Sequence, residues 1–223
     1  MDITRRYTVG WSAKSIRRPM CRSVPGRTVC AMTNVLVWAL NLTMVGWLAA
    51  EVIMQVRQYR MGGKAKLTEW GSLGAIVLSL AVGYGLATLT WHLVRGAHIP
   101  LDTAPLLAIA LPLMWVGIGF RLWAIHTLGR FFRGVVHVQA DHEVVRRGPY
   151  RFLRHPSYAG ALVAVVGLGL TFHNWLSFVV YVACGTAGVV YRIRVEERVL
   201  LAELGAAYGD YAATTSRLVP HVW

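Results

Sequence analysis

The sequence predicts an all-α integral membrane protein with about five transmembrane helices, the last two forming a hairpin, followed by a cytosolic C-terminal amphipathic helix. Three observations carry this expectation. Hydrophobic residues fill 56% of the 223 positions and charged residues only 15%, whereas a soluble domain carries about a quarter charged. The mean hydropathy is +0.48, and the apolar residues gather into runs long enough to read as membrane spans. The basic residues behind the net charge of +13 lie mainly between those runs, which fits an anionic membrane surface better than nucleic acid.

The elements follow in order. Residues 1–31 hold seven basic residues and one acid, with no periodicity. They read as a leader: a disordered arm, a transit-like segment, or the stretch ahead of a true start at Met32. Residues 32–125 should contain three spans, near 33–56, 70–94 and 104–125. Glu51, near the end of the first, should face protein or the interface rather than lipid. Pro112 should kink the third by removing a backbone hydrogen bond. Residues 126–223 form the last unit. A polar segment with six arginines, 126–156, precedes two shorter apolar runs, 157–172 and 175–191, split by His173 and Asn174. That brief break predicts a tight hairpin. The polar segments flanking it lie on one side, and their arginines place that side in the cytoplasm. Counting back puts the N-terminus outside, in conflict with the leader's charge.

Two constellations point to chemistry. On a helix beginning at 192, Ile193, Glu197, Leu200, Leu201, Leu204, Tyr208 and Tyr211 share one side. Glu197 falls within that apolar stripe and Glu196 at its edge. A carboxylate on a buried stripe needs a partner or a ligand. The plainer account is a surface helix with Arg192–Glu196 and Arg194–Glu197 pairs. The second constellation is DHEVVRRGPYRFLRHPSYAG, residues 141–160. Gly148–Pro149 and His155–Pro156 are stiff turn signals. Pro156 suits the first turn of the following helix, which places His155 at a helix mouth whose N–H groups suit an anion. Topology alone needs charge but not two rigid turns, so the segment reads as a binding loop. Arg121, late in the third span, either snorkels to the interface or lines a polar site.

Other chemistries are disfavoured. The histidines show no HxxH, HxxxH or HExxH spacing, so no metal site is expected. GLGL at 167–170 lies inside an apolar run and is not a dinucleotide fingerprint. Cys21, Cys30 and Cys184 form no CxxC pair and read most simply as free thiols.

The stretches FRLWAIHTLGRFF, HVQADHEVVRRGPYRFLRHPSYAG and RIRVEERVLLAELGAAYGDYAATTSRLVPHVW together resemble the isoprenylcysteine carboxyl methyltransferase family, in its shorter microbial form, over about residues 117–223. The resemblance implies an S-adenosylmethionine-dependent membrane methyltransferase without a Rossmann domain, its cofactor held in a cytosolic pocket. Carried over by motif, His142, Val144, Val145, Gly148, Tyr150, His155, Tyr158, Glu196 and Glu197 would bind the cofactor. Arg154 and Arg217 would orient the acceptor and, with Glu197, make up the catalytic set; for a thiol or amine acceptor, His155 or a glutamate would be the candidate base. Arg133 departs from the family, standing where many relatives carry a small hydroxyl residue. The acceptor implied is lipophilic or prenylated, entering from the bilayer, most simply an isoprenoid-linked cysteine carboxylate. A small thiol or a phospholipid amine is the alternative. More distant readings are an NADPH-dependent membrane reductase and a non-enzymatic membrane protein. For a bacterial chain the location would be the inner membrane, with the site facing the cytoplasm.

Overall fold

Long apolar runs satisfy their backbone polar groups in a bilayer by forming helices, and the third run does so with Pro112 inside its helix. A computed structural model describes residues 27–61, 67–129, 144–220 and 223, and no strand of a sheet occurs among them. The helices are α1 (Arg27–Met61), α2 (Leu67–Leu93), α3 (Thr103–Leu128), α4 (Pro156–Leu170), α5 (Trp175–Leu204) and α6 (Ala206–Thr214). The helix at Arg27 begins upstream of Met32, so its first turn lies within the stretch read as a leader.

Among the described residues, four helices (α1, α2, α3 and α5) are long and apolar enough to cross a membrane, and α4 is a shorter apolar helix. At 1.5 Å per residue its 15 residues span about 22 Å, short of a ~30 Å hydrocarbon core. It is sheltered instead, packed between α3 and α5. The α3–α4 crossing is set by Gly117 and Gly160. A Cβ on Gly117 would lie 2.4 Å from the Ala164 amide nitrogen, and one on Gly160 would lie 2.7 Å from that of Arg121. Only hydrogen at both positions lets the backbones meet. The second helix packs against α5, and α1 packs mainly on α3, so the space between α1 and α2 is left to a cavity.

The hairpin turns where expected. Asn174 caps α5 by accepting from the Ser177 amide at 3.0 Å, while its side-chain amide donates to the Val94 carbonyl at 2.7 Å. The separate amphipathic helix expected from 192 is not separate. Nothing breaks the helix at 191–192, and α5 runs on to Leu204, where Gly205 at φ 53° ends it and starts the short α6. Arg192 is correspondingly not a surface residue: it is 1% exposed. Cys184 is a free thiol, but Cys30 is disulfide-bonded, against the free-thiol expectation.

Candidate active site

The binding loop is built by its turns. Gly148 takes φ 57°, which glycine adopts without strain, and Pro149 follows in a 3-10 turn over Gly148–Arg151. The chain then runs beside the C-terminal tail. Ser216 donates its amide to the Phe152 carbonyl (3.2 Å), Arg154 to Ser216 (2.8 Å) and His155 to Arg217 (3.1 Å). Tyr211 of α6 locks the same loop, its hydroxyl donating to the Tyr150 carbonyl at 2.8 Å. These backbone contacts bring Arg154, His155 and Arg217 together.

Glu197 of α5 is their common partner. Its Oε1 accepts from Arg154 Nε at 3.0 Å and lies 3.3 Å from His155 Nε2, and its Oε2 accepts from Arg217 Nε at 2.8 Å. Arg154 also donates to the carbonyls of Ala212 and Thr215. Glu197 is thus a buried hub and not half of an Arg194 surface pair. One carboxylate faces two guanidiniums, so the cluster retains one positive charge before His155 is considered.

Its neighbour Glu196 is placed differently. It accepts from the Tyr158 hydroxyl at 2.8 Å, and Arg192 Nε, 3.9 Å from the carboxylate, donates to the same hydroxyl at 3.1 Å. A third cluster joins α1 to α3 and α4. Arg121 grips Glu51 at two points, 2.7 and 2.9 Å, and donates to Ser157 Oγ at 2.8 Å, while Trp47 donates to Glu51 at 3.1 Å.

All three clusters border one cavity of about 700 Å³. Val144, Val145, Tyr150, Arg154, His155, Tyr158 and Glu196 line its polar end, together with Tyr208 and Tyr211. Its other end is apolar, walled by residues such as Leu48, Val52, Leu80, Val165 and Leu168. Gly148, Glu197 and Arg217 are outside the lining: Gly148 shapes the loop, Glu197 pairs with Arg154, and Arg217 pairs with Glu197. His142 and Arg133 lie outside the described residues. Burial pushes the hydroxyls of Tyr150 and Tyr208 up and that of Tyr211 up to about 12, leaving all three neutral donors.

The helix mouth offers less to an anion than the turn signals implied. The amides of Arg154 and His155 donate to the tail, and those of Tyr158 and Ala159 to the His155 carbonyl. Sequence reasoning also left out Tyr208 and Tyr211 as site residues and left Arg121 undecided. Glu51 and Arg121, two opposite charges inside apolar runs, were the signal available for the third cluster.

Fold and site together define a polytopic α-helical membrane protein whose cavity joins a charged end to an apolar one. Residues 109–202 match the isoprenylcysteine carboxyl methyltransferase (ICMT) family, which bears out the resemblance carried by the motifs. The chain is 34% identical over 104 residues to protein-S-isoprenylcysteine O-methyltransferase of Saccharomyces cerevisiae, covering 46% of this chain and 44% of that one. It is 35% identical over 109 residues to protein-S-isoprenylcysteine O-methyltransferase A of Arabidopsis thaliana, covering 48% and 55%. The matched segment therefore spans about half the length of these relatives. Among solved structures, the eukaryotic intramembrane Ras methyltransferase ICMT aligns with a TM-score of 0.50 and 25% identity, over 66% of this chain and 52% of that one. The apolar helices and this likeness make the chain an integral membrane protein.

Proposed function

We propose that this protein is a membrane methyltransferase that moves the methyl group of S-adenosylmethionine to the carboxylate of a lipophilic acceptor of the isoprenylcysteine type. The observation that carries the reading is the single cavity whose polar end holds Glu196, Arg154 and four tyrosines and whose far end is apolar. A donor with a hydroxyl-bearing ribose, a ring and a positive centre needs a carboxylate and aromatic faces near one another, and Glu196, Tyr150, Tyr158 and Tyr208 supply these residue types. A lipid-linked acceptor needs an apolar wall continuous with a cation.

The donor supplies an electrophilic methyl on a sulfonium. A bound donor would give up that methyl and leave as a thioether while the acceptor carboxylate became a methyl ester, so no proton would have to move. This chain's residues then have two tasks. Arg154 holds the acceptor carboxylate, using the positive charge its cluster retains. The buried cavity excludes water and aligns the two groups, where most of the acceleration of such a displacement arises. With no proton to abstract, His155 and Glu197 serve as structure around Arg154. The site faces the cytoplasm, the side on which the arginine-rich loop lies.

Titration of the purified protein in detergent with S-adenosylmethionine, S-adenosylhomocysteine and NADPH tests the reading. Both S-adenosyl compounds should bind. Binding of NADPH alone would favour a reductase and overturn it.

A further inference from the structure

Tyr208 sits on α6, 4% exposed, on the wall of the cavity. Its hydroxyl is buried and has no hydrogen-bond partner among the described residues. The contrast with Tyr211, on the next turn, is sharp: that hydroxyl donates to the carbonyls of Tyr150 and Leu153 at 2.8 and 3.3 Å. A buried hydroxyl left unpaired costs about 1–3 kcal/mol, so its retention at a cavity wall points to a ligand atom as its partner. Burial, then Glu197 and Glu196, hold the Tyr208 hydroxyl protonated, acting on it more strongly than Arg154 does, and Arg154 lines the same cavity. A neutral O–H donor makes its strongest bond to a carboxylate oxygen, and Arg154 supplies the cation beside which a ligand's carboxylate would sit.

The geometry points to Tyr208 as a ligand-contacting residue whose hydroxyl donates to a carboxylate oxygen of a bound ligand. This rests on the methyltransferase reading, under which two carboxylates enter the cavity: the acceptor's and that of the cofactor's amino-acid end. They present the same chemistry to the hydroxyl.

Tyr208→Phe deletes one oxygen and, among the described residues, no bond. The full-length variant in detergent should therefore melt no lower than wild type. Tyr211→Phe, which loses the single proton shared between the Tyr150 and Leu153 carbonyls, should melt lower. Calorimetry with S-adenosylhomocysteine and with methylthioadenosine, which lacks the amino-acid end, reads the cofactor arm. The KM for N-acetyl-S-farnesylcysteine reads the acceptor arm. If the cofactor's carboxylate is the partner, Tyr208→Phe weakens S-adenosylhomocysteine about tenfold and leaves methylthioadenosine unchanged. If the acceptor's is the partner, the KM rises about tenfold at unchanged S-adenosylhomocysteine affinity. The inference is overturned if neither shifts, if both nucleosides weaken equally, or if the ligand-free variant melts lower, which would reveal a partner within the chain. A wild-type protein that neither binds S-adenosylhomocysteine nor methylates the acceptor overturns the methyltransferase reading and the inference with it. An active wild type with an unaffected variant overturns the inference alone.

Discussion

Glu51 and Arg121 stand 70 residues apart in sequence and meet as a two-point ion pair, at 2.7 and 2.9 Å, between the apolar helices α1 and α3. Their side chains are 28% and 13% exposed. Removing one member of a fully buried pair costs about 3–5 kcal/mol, and partial exposure reduces that. Arg121→Met should therefore destabilise the protein by about 2 kcal/mol, read as a lower melting temperature in detergent. The double variant Glu51→Met/Arg121→Met should recover part of the loss, because no charge is left unpaired. If the double variant is as unstable as the sum of the singles, the pair is not coupled.

The adjacent glutamates should separate in function. Glu197→Gln leaves Arg154 and Arg217 without their shared counter-ion at a site where the Arg154 and Glu197 side chains are 8% and 10% exposed. It should cost about 3 kcal/mol or more of stability. Glu196→Gln keeps an oxygen to accept from Tyr158 and removes a carboxylate that stands 3.9 Å from Arg192 rather than in direct contact, so it should lower the melting temperature less than Glu197→Gln does while S-adenosylhomocysteine affinity falls. Thermal denaturation beside calorimetry on both variants reads the difference. Equal effects of the two substitutions on both measurements would contradict the division.

The α3–α4 crossing makes a prediction with its own control. Gly117→Ala places a carbon 2.4 Å from the Ala164 nitrogen, whereas nothing lies within 4 Å of a Cβ on Gly119, two residues along the same helix. Gly117→Ala should destabilise by about 1–3 kcal/mol or more as α4 is pushed off α3. Gly119→Ala should be neutral or slightly stabilising, since alanine favours the helix. Comparing their melting temperatures is sufficient.

The spans, the hairpin break at His173–Asn174 and the stiff turns around Pro149 and Pro156 were legible because each is a local property of the chain. The Glu196–Glu197 pair was legible too, since helical periodicity puts Glu197 on an apolar stripe. Which glutamate faces the cavity was not. That depends on Arg154, 43 residues earlier, and Arg217, 20 residues later, arriving at Glu197 through backbone pairing of 152–155 with the tail. The boundary expected at 192 was misplaced for a related reason. The change from apolar to polar residues there marks a change of surroundings, and no residue at that point stops the helix. The helix mouth looked open to an anion because sequence reveals an unpaired helix end but not the tail segment that takes up its neighbours' amides.

The central claim is methyl transfer to a carboxylate, and the product's chemistry tests it most directly. Membranes containing the protein are incubated with methyl-labelled S-adenosylmethionine and N-acetyl-S-farnesylcysteine, and the labelled product is treated with mild base. A methyl ester releases its label as methanol, and that release, absent in membranes lacking the protein, is the predicted result. Label that stays bound through base treatment, as a thioether or methylamine would, or no transfer at all, would contradict the account.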